Sequence, residues 1–177
     1  MSREVSGIGI GLRYDLATEL LDRRPDTVSW VEVHPENYVE RGGRYQEMLE
    51  LALREWPVIT HGLSNCLGAI EPFDSKYLAE LREFLSDVEV PWHSEHLCLG
   101  GVDDRFFHDL LPLPFTEEAA SIAAQRLSEV RDAIDRPLAL ENVSYYAPQG
   151  NDGLAEADFV VEVLERADAK LLLDVNN

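Results

Sequence analysis

Short apolar runs alternate with longer amphipathic segments along this chain, the strand-then-helix order of a parallel sheet with crossover helices. The pattern predicts strands near Gly7 to Leu12, Val28 to Val33, Pro57 to His61, Val90 to His96, Pro137 to Asn142 and Lys170 to Asn176. Helices are expected between them, near Leu16 to Arg23, Gln46 to Glu55, Asp74 to Leu85, Thr116 to Ile134 and Ala157 to Ala167. Asp74 and Thr116 are the expected N-caps, and Glu117 and Glu118 suit the positive end of the helix that Thr116 opens. Gly100 and Gly101 read as a turn, and His108 as a loop residue of no functional weight. The expected fold is α/β in one domain over 1–177, its parallel sheet either open or part of a TIM-type (β/α)8 barrel that stops after about six strands. The first and sixth strands would then be unpaired edges, so oligomerisation or aggregation is expected.

In a parallel sheet or barrel the functional face lies outside the carboxyl ends of the strands. Here the strand ends are polar: Glu32 to Asn37 after the second, His61 and Gly62 after the third, His93 to His96 on the fourth, Glu141 and Asn142 on the fifth, Asp174 to Asn176 on the sixth. Period-two alternation puts Ile59 with His61, Ser94 with His96, Ala139 with Glu141 and Leu172 with Asp174. These side chains can therefore converge on one face, and imidazole with carboxylate is a ligand set for iron, zinc or manganese. A single strand-end His or Asp is more often a cap or loop residue than a ligand; repetition over five strands reverses that weighting. Alternation points His93 away from His96.

Composition narrows the partners. Against 34 Asp and Glu stand 15 Lys and Arg, a net charge of −19, with lysine only at Lys76 and Lys170. Such a surface excludes a nonspecific polyanion binder, so nucleic acid is not an expected partner. It predicts a halophilic source, with an ordinary acidic bacterial protein as the other reading. No apolar run reaches the roughly 20 residues of a membrane span and the start has no signal-peptide pattern, so no membrane partner and a cytoplasmic location are expected. Cys66 and Cys98 form no CxxC pair and read as core residues. The glycines of GIGIGL and GLSNCLG lack the order and the lysine of nucleotide loops.

Six segments, EVHPENY (Glu32 to Tyr38), HGLS (His61 to Ser64), SEHL (Ser94 to Leu97), DLLPLPFTEEA (Asp109 to Ala119), LENVSYY (Leu140 to Tyr146) and LLLDVNN (Leu171 to Asn177), occur in one order. Together they resemble the multinuclear non-heme iron-dependent oxidases, a family once known only as a domain of unknown function. The resemblance covers essentially the whole chain. It implies a TIM-type barrel holding two or three irons and using dioxygen to modify cysteine residues of ribosomally made peptides. In the methanobactin relative the product is an oxazolone and thioamide; in the thiaglutamate relative a cysteine carbon is excised.

Carried onto this sequence, the resemblance implies iron ligands at His61, His96, Glu141 and Asp174, with Glu141 as a bridge. Asn142, Asn176, Glu95 and Glu36 are further candidates for the ligand shell or its support. It also implies a cysteine-containing precursor peptide and a peptide-recognition protein as partners, and further ligands beyond Asn177. Val143 stands where the family has a proline. Two other readings stay open. The chain is a truncated or split barrel acting only with a second polypeptide, or it is a metal-dependent isomerase or endonuclease of similar architecture.

Overall fold

The computed structural model describes residues 5–102, 105–145 and 153–177, with the backbone alone given for 102 and 105–109. Its centre is a six-stranded sheet in the order β1 (Gly9–Gly11), β2 (Trp30–Val33), β3 (Val58–His61), β4 (His93–His96), β7 (Leu138–Glu141), β8 (Lys170–Leu172). Every neighbouring pair is parallel. The helices α1 (Tyr14–Arg23), α2 (Arg44–Glu55), α3 (Ser75–Asp87), α4 (Glu117–Ile134) and α5 (Glu156–Ala167) alternate with these strands. Each new strand of the sheet is added beside the last, the winding of a (β/α)8 barrel over part of its circumference.

Register explains why one face is greasy and the other chemical. Val31 pairs with Val58, and Val33 with Thr60, which itself pairs with His93; Leu138 and Leu140 continue the same face across β7. Val31, Val33, Val58, Leu138 and Leu140 join one apolar core with the inward stripes of the helices, among them Leu81, Leu85, Leu127, Ile134 and Phe159. The alternate residues point to the other face. Glu32 pairs with Ile59, His61 with Ser94, Ser94 with Ala139, and His96 with Glu141. Ile59 and Ala139 are buried yet lie outside that core, as residues of the opposite face should.

Local signals act as expected at two helix starts. The Asp74 carboxylate accepts from the backbone N–H groups of Lys76 and Tyr77, and the Thr116 hydroxyl accepts from that of Ala119. Three helices end on a non-glycine residue in the left-handed region: Arg24 (φ 44°), Asp135 (φ 55°) and Asp168 (φ 50°).

Several boundaries differ from the pattern reading, each for a physical reason. The fourth strand starts at His93 rather than Val90, because the Val90 N–H is spent on Leu85 O and Pro91 has none to give. The sixth ends at Leu172, since Asp174 to Asn176 close a local turn in which the Asp174 carboxylate accepts from the Asn176 N–H. Gly100 and Gly101 are not a turn. They lie in β5 (Cys98–Val102), which pairs antiparallel with β6 (Arg105–Pro112) as a hairpin outside the main sheet. His108 is therefore on a strand and not in a loop; its side chain lies outside the described residues. Tyr146, the last residue of LENVSYY, also lies outside them.

Candidate metal centre

β4 and β7 end level with one another at His96 and Glu141, and β3 ends at His61, opposite Ser94 two residues earlier; these three are the last residues of their strands on the chemical face. His61 Nε2 lies 2.9 Å from Glu141 Oε2 and 3.0 Å from His96 Nε2, and His96 Nε2 lies 3.5 Å from the same carboxylate oxygen. Among the described residues these three form a group whose ligand atoms all fall within 4.8 Å of one another.

The outer nitrogens decide what the inner ones can do. His96 Nδ1 is 3.2 Å from Gly62 O, a carbonyl that only accepts, so Nδ1 carries the proton. His61 Nδ1 is 2.7 Å from Ser94 Oγ, whose own hydrogen goes to Thr60 O at 3.2 Å, so the hydroxyl accepts from His61. Both imidazoles thus turn an Nε2 lone pair toward the other and toward a carboxylate oxygen. Three converging electron-pair donors repel unless a cation stands among them, and this is how histidine ligands are oriented by a second partner. The donor set fits a divalent metal of the iron, zinc or manganese type.

The electrostatics agree with a site that attracts one positive charge. Burial pushes the His61 pKa down, but the hydrogen bond and charge of Glu141, with Glu32 and Glu95 behind it, outweigh burial and leave it raised. Burial and the neighbouring His61 hold the His96 pKa down.

The other candidates are placed differently. Asp174 is not brought into the group: its Oδ1 accepts from the backbone and side-chain N–H groups of Asn176, at 2.7 and 3.2 Å. Asn142 spends both ends of its amide on the Asp174 backbone, accepting from Asp174 N at 2.9 Å and donating to Asp174 O at 3.1 Å. Glu95 points to the helix-covered face, where its Oε1 accepts from His93 Nε2 at 2.9 Å and Asn65 Nδ2 at 2.6 Å. Glu36 Oε1 accepts from the Leu63 N–H at 2.7 Å and the Tyr77 hydroxyl at 2.9 Å; its buried Oε2 has no partner among the described residues. Burial and the Glu36 charge push the Tyr77 pKa far up, so the phenol stays a donor.

Sequence reasoning did not single out His34, Ser94 or Gly62 for these supporting roles. His34 Nδ1 donates to His61 O at 2.9 Å, a contact between the residue just after β2 and the end of β3 that leaves no trace in periodicity. Cys98 is buried, whereas Cys66 is only half-buried and its sulfur accepts from the Gly100 N–H at 2.9 Å.

Residues 7–177 match the model of the family described as RiPP precursor modification enzyme MbnB/TglH/ChrH. The chain belongs to this family. Among MbnB/TglH/ChrH-like relatives, the UPF0276 protein of Anaeromyxobacter sp. (strain Fw109-5) is 42% identical over 176 residues, covering 99% of this chain and 62% of the relative. The UPF0276 protein of Shewanella sediminis is 38% identical over 176 residues, covering 98% of this chain and 62% of its own length. The chain thus spans less than two thirds of the relatives it matches. In fold it is similar to a xylose isomerase-like TIM barrel/4-hydroxyphenylpyruvate dioxygenase fusion protein, with TM-score 0.53, 10% identity and 93% of this chain against 26% of that one. A sialic acid aldolase of Ruminococcus gnavus gives TM-score 0.50 at 14% identity, over 94% of this chain and 53% of that one. These likenesses identify the barrel-type fold that the strand order already indicates.

Proposed function

We propose that His61, His96 and Glu141 hold iron for an enzyme that uses dioxygen to modify a cysteine residue of a ribosomally made peptide. The observation that carries this reading is the convergence of two Nε2 lone pairs and one carboxylate oxygen within 4.8 Å, each imidazole locked by its outer nitrogen. Family membership supports the same direction, since the family is described by modification of RiPP precursors. Bound there, iron would supply the redox change and a seat for a substrate thiolate, chemistry that no side chain of this chain provides. The chain's own residues orient and insulate. Ser94 and Gly62 fix the two tautomers, and Ile59 and Ala139, both buried, close the face beneath the ligands. Three protein ligands leave coordination positions open for substrate.

A second reading is that the chain works together with further polypeptide carrying more ligands, either its own or a partner's. Coverage of 62% of the relatives' length favours it. So does the outer edge of β8, unpaired among the described residues, where Leu171 is 46% exposed and Leu173 and Val175, just after the strand, are 62% and 84% exposed. The two or three irons of the resemblance, and Asp174 as a ligand, belong with this reading. A peptide-recognition protein and a cytoplasmic, high-salt setting are part of the same proposal. Among the described residues no helix is long and apolar enough to cross a membrane.

The deciding measurement is metal content with Mössbauer spectroscopy on protein purified without oxygen, beside His96→Ala and Glu141→Ala. Near-stoichiometric iron that is lost in both variants supports the metal centre. Protein that takes up no iron, or variants that keep it, overturn the assignment of these ligands.

A further inference from the structure

Behind the sheet, on the face away from the three ligands, lies a second polar group. Glu95 and His93 are 1% and 0% exposed, and Asn65 is 5% exposed. A carboxylate is seldom so fully enclosed without a task, because its desolvation is costly unless hydrogen bonds replace water. His93 Nε2 and Asn65 Nδ2 both donate to Glu95 Oε1, and the Thr60 hydroxyl meets His93 Nδ1 at 2.9 Å. The carboxylate lies directly against the Cα of Gly62, so that a Cβ built there would fall on Glu95 Oε1, Cδ and Oε2.

Gly62 is also the residue whose carbonyl accepts from His96 Nδ1. Its N–H is held by Ser94 O at 2.8 Å, and the next residue, Leu63, is held through its N–H by Glu36. The segment 62–65 is therefore fixed from both sides: on one by the strand ends, on the other by Glu95 through Asn65 and through packing on Gly62.

We infer that Glu95 is a positioning residue, which holds residues 62–65 from behind the sheet so that the Gly62 carbonyl keeps the proton of His96 on Nδ1 and leaves Nε2 free as a ligand. Glu95 touches no ligand atom of the group; it acts through Asn65 and Gly62. The effect on metal affinity rests on the function proposed above, whereas the effect on the His96 tautomer does not.

The test begins without metal. Long-range 1H–15N correlation spectra of the whole chain, in chelator, report which nitrogen of His96 is protonated. The wild type is expected as the Nδ1–H tautomer. Glu95→Ala and Asn65→Ala are expected to give a mixture with Nε2–H, while Glu95→Gln, which keeps the acceptor oxygen, restores the wild-type signals. Gly62→Ala, whose methyl displaces the carboxylate, should resemble Glu95→Ala. Should Glu95→Ala fail to fold, Asn65→Ala and Gly62→Ala decide the matter. An unchanged His96 tautomer in the folded variants, or a wild type that is not Nδ1–H, overturns the inference.

Titration with Co2+ then reads the consequence for a metal. The wild type is compared with Glu95→Ala or, should that variant not fold, with Asn65→Ala. Affinity in the variant should fall about tenfold, with shifted ligand-field bands, as for other supports of metal-binding histidines. Unchanged Co2+ affinity despite a changed tautomer overturns the link between Glu95 and the metal centre. A wild type that binds no Co2+, with the tautomer responses intact, defeats the proposed function and leaves the positioning role standing.

Discussion

His61 Nε2 and Glu141 Oε2 stand 2.9 Å apart although their strands, β3 and β7, are separated in the sheet by β4. The contact is possible because His96, the β4 residue paired with Glu141, is two positions further along than Ser94, the residue paired with His61. Ser94 is small, so the imidazole of His61 passes over it and is caught there by the hydroxyl.

That gives Ser94 a measurable role. Ser94→Ala removes the acceptor of the His61 Nδ1 proton without removing any ligand atom, and buried Ser94 is replaced by a side chain of similar size. Metal affinity should drop by about 10- to 100-fold with the thermal midpoint little changed. Competition titration against a chromophoric chelator measures the first, and circular dichroism the second. Equal affinity in Ser94→Ala would show that the hydroxyl does not orient His61.

How far the sequence reached is clearest at particular residues. Alternation alone placed His61, His96 and Glu141 on one face, because a parallel strand reads out its two faces strictly in turn. It also separated His93 from His96. What alternation cannot report is how a loop folds back after a strand ends. Asp174, Asn142 and Glu36 lie beyond such ends, and each is engaged by a backbone group; Glu95, inside β4, shares the face of His93 by the same alternation. The hairpin β5 and β6 was hidden for a related reason. A search for alternating strands and helices has no place for an antiparallel pair, and its two glycines suggest a turn.

Alkaline pH should weaken the fold. Burial pushes the Cys98 thiol up to about 12, with Cys66 and Glu95 adding to it, and burial with Tyr45 pushes Tyr38 up to about 12. In the unfolded chain these groups lose their protons near their ordinary values of 9.0 and 10.0. The folded state then holds more protons than the unfolded one, so stability declines as pH rises from about 9 toward 12. Urea midpoints measured at pH 8, 9.5 and 10.5 should fall in that order. Cys98→Ala should lessen the decline, and Cys98 in the wild type should react with thiol reagents only as fast as the fold opens.

Asp168 offers a gain in stability. It ends α5 in the left-handed conformation at φ 50°, where an L side chain is strained, and its negative charge sits at the negative end of the helix. Asp168→Gly removes both penalties and should stabilise the fold by about 0.5–1 kcal/mol. A calorimetric midpoint that stays level or falls would show that the aspartate has a compensating contact.

The final prediction concerns Asn142, whose side chain carries the ladder between β7 and β8 past its backbone end. Its amide presents one acceptor and one donor to Asp174, the same pair that a backbone peptide group would present in a continuing strand. The Asn177 side chain in turn donates to Asn142 O at 2.7 Å. Asn142→Asp keeps the acceptor for the Asp174 N–H but replaces the donor with an oxygen facing Asp174 O. One hydrogen bond is lost and two acceptors are set against each other, a cost of about 1–2 kcal/mol. Asn142→Ala loses both bonds but introduces no repulsion, so it should be the milder change in stability and the stronger in local opening. Hydrogen exchange of the Asp174 amide distinguishes them: protection should be lost in Asn142→Ala and partly kept in Asn142→Asp. Equal protection in the wild type and Asn142→Ala would mean that Asp174 is held at the end of β8 by its own turn with Asn176, and that Asn142 is free to face the ligands.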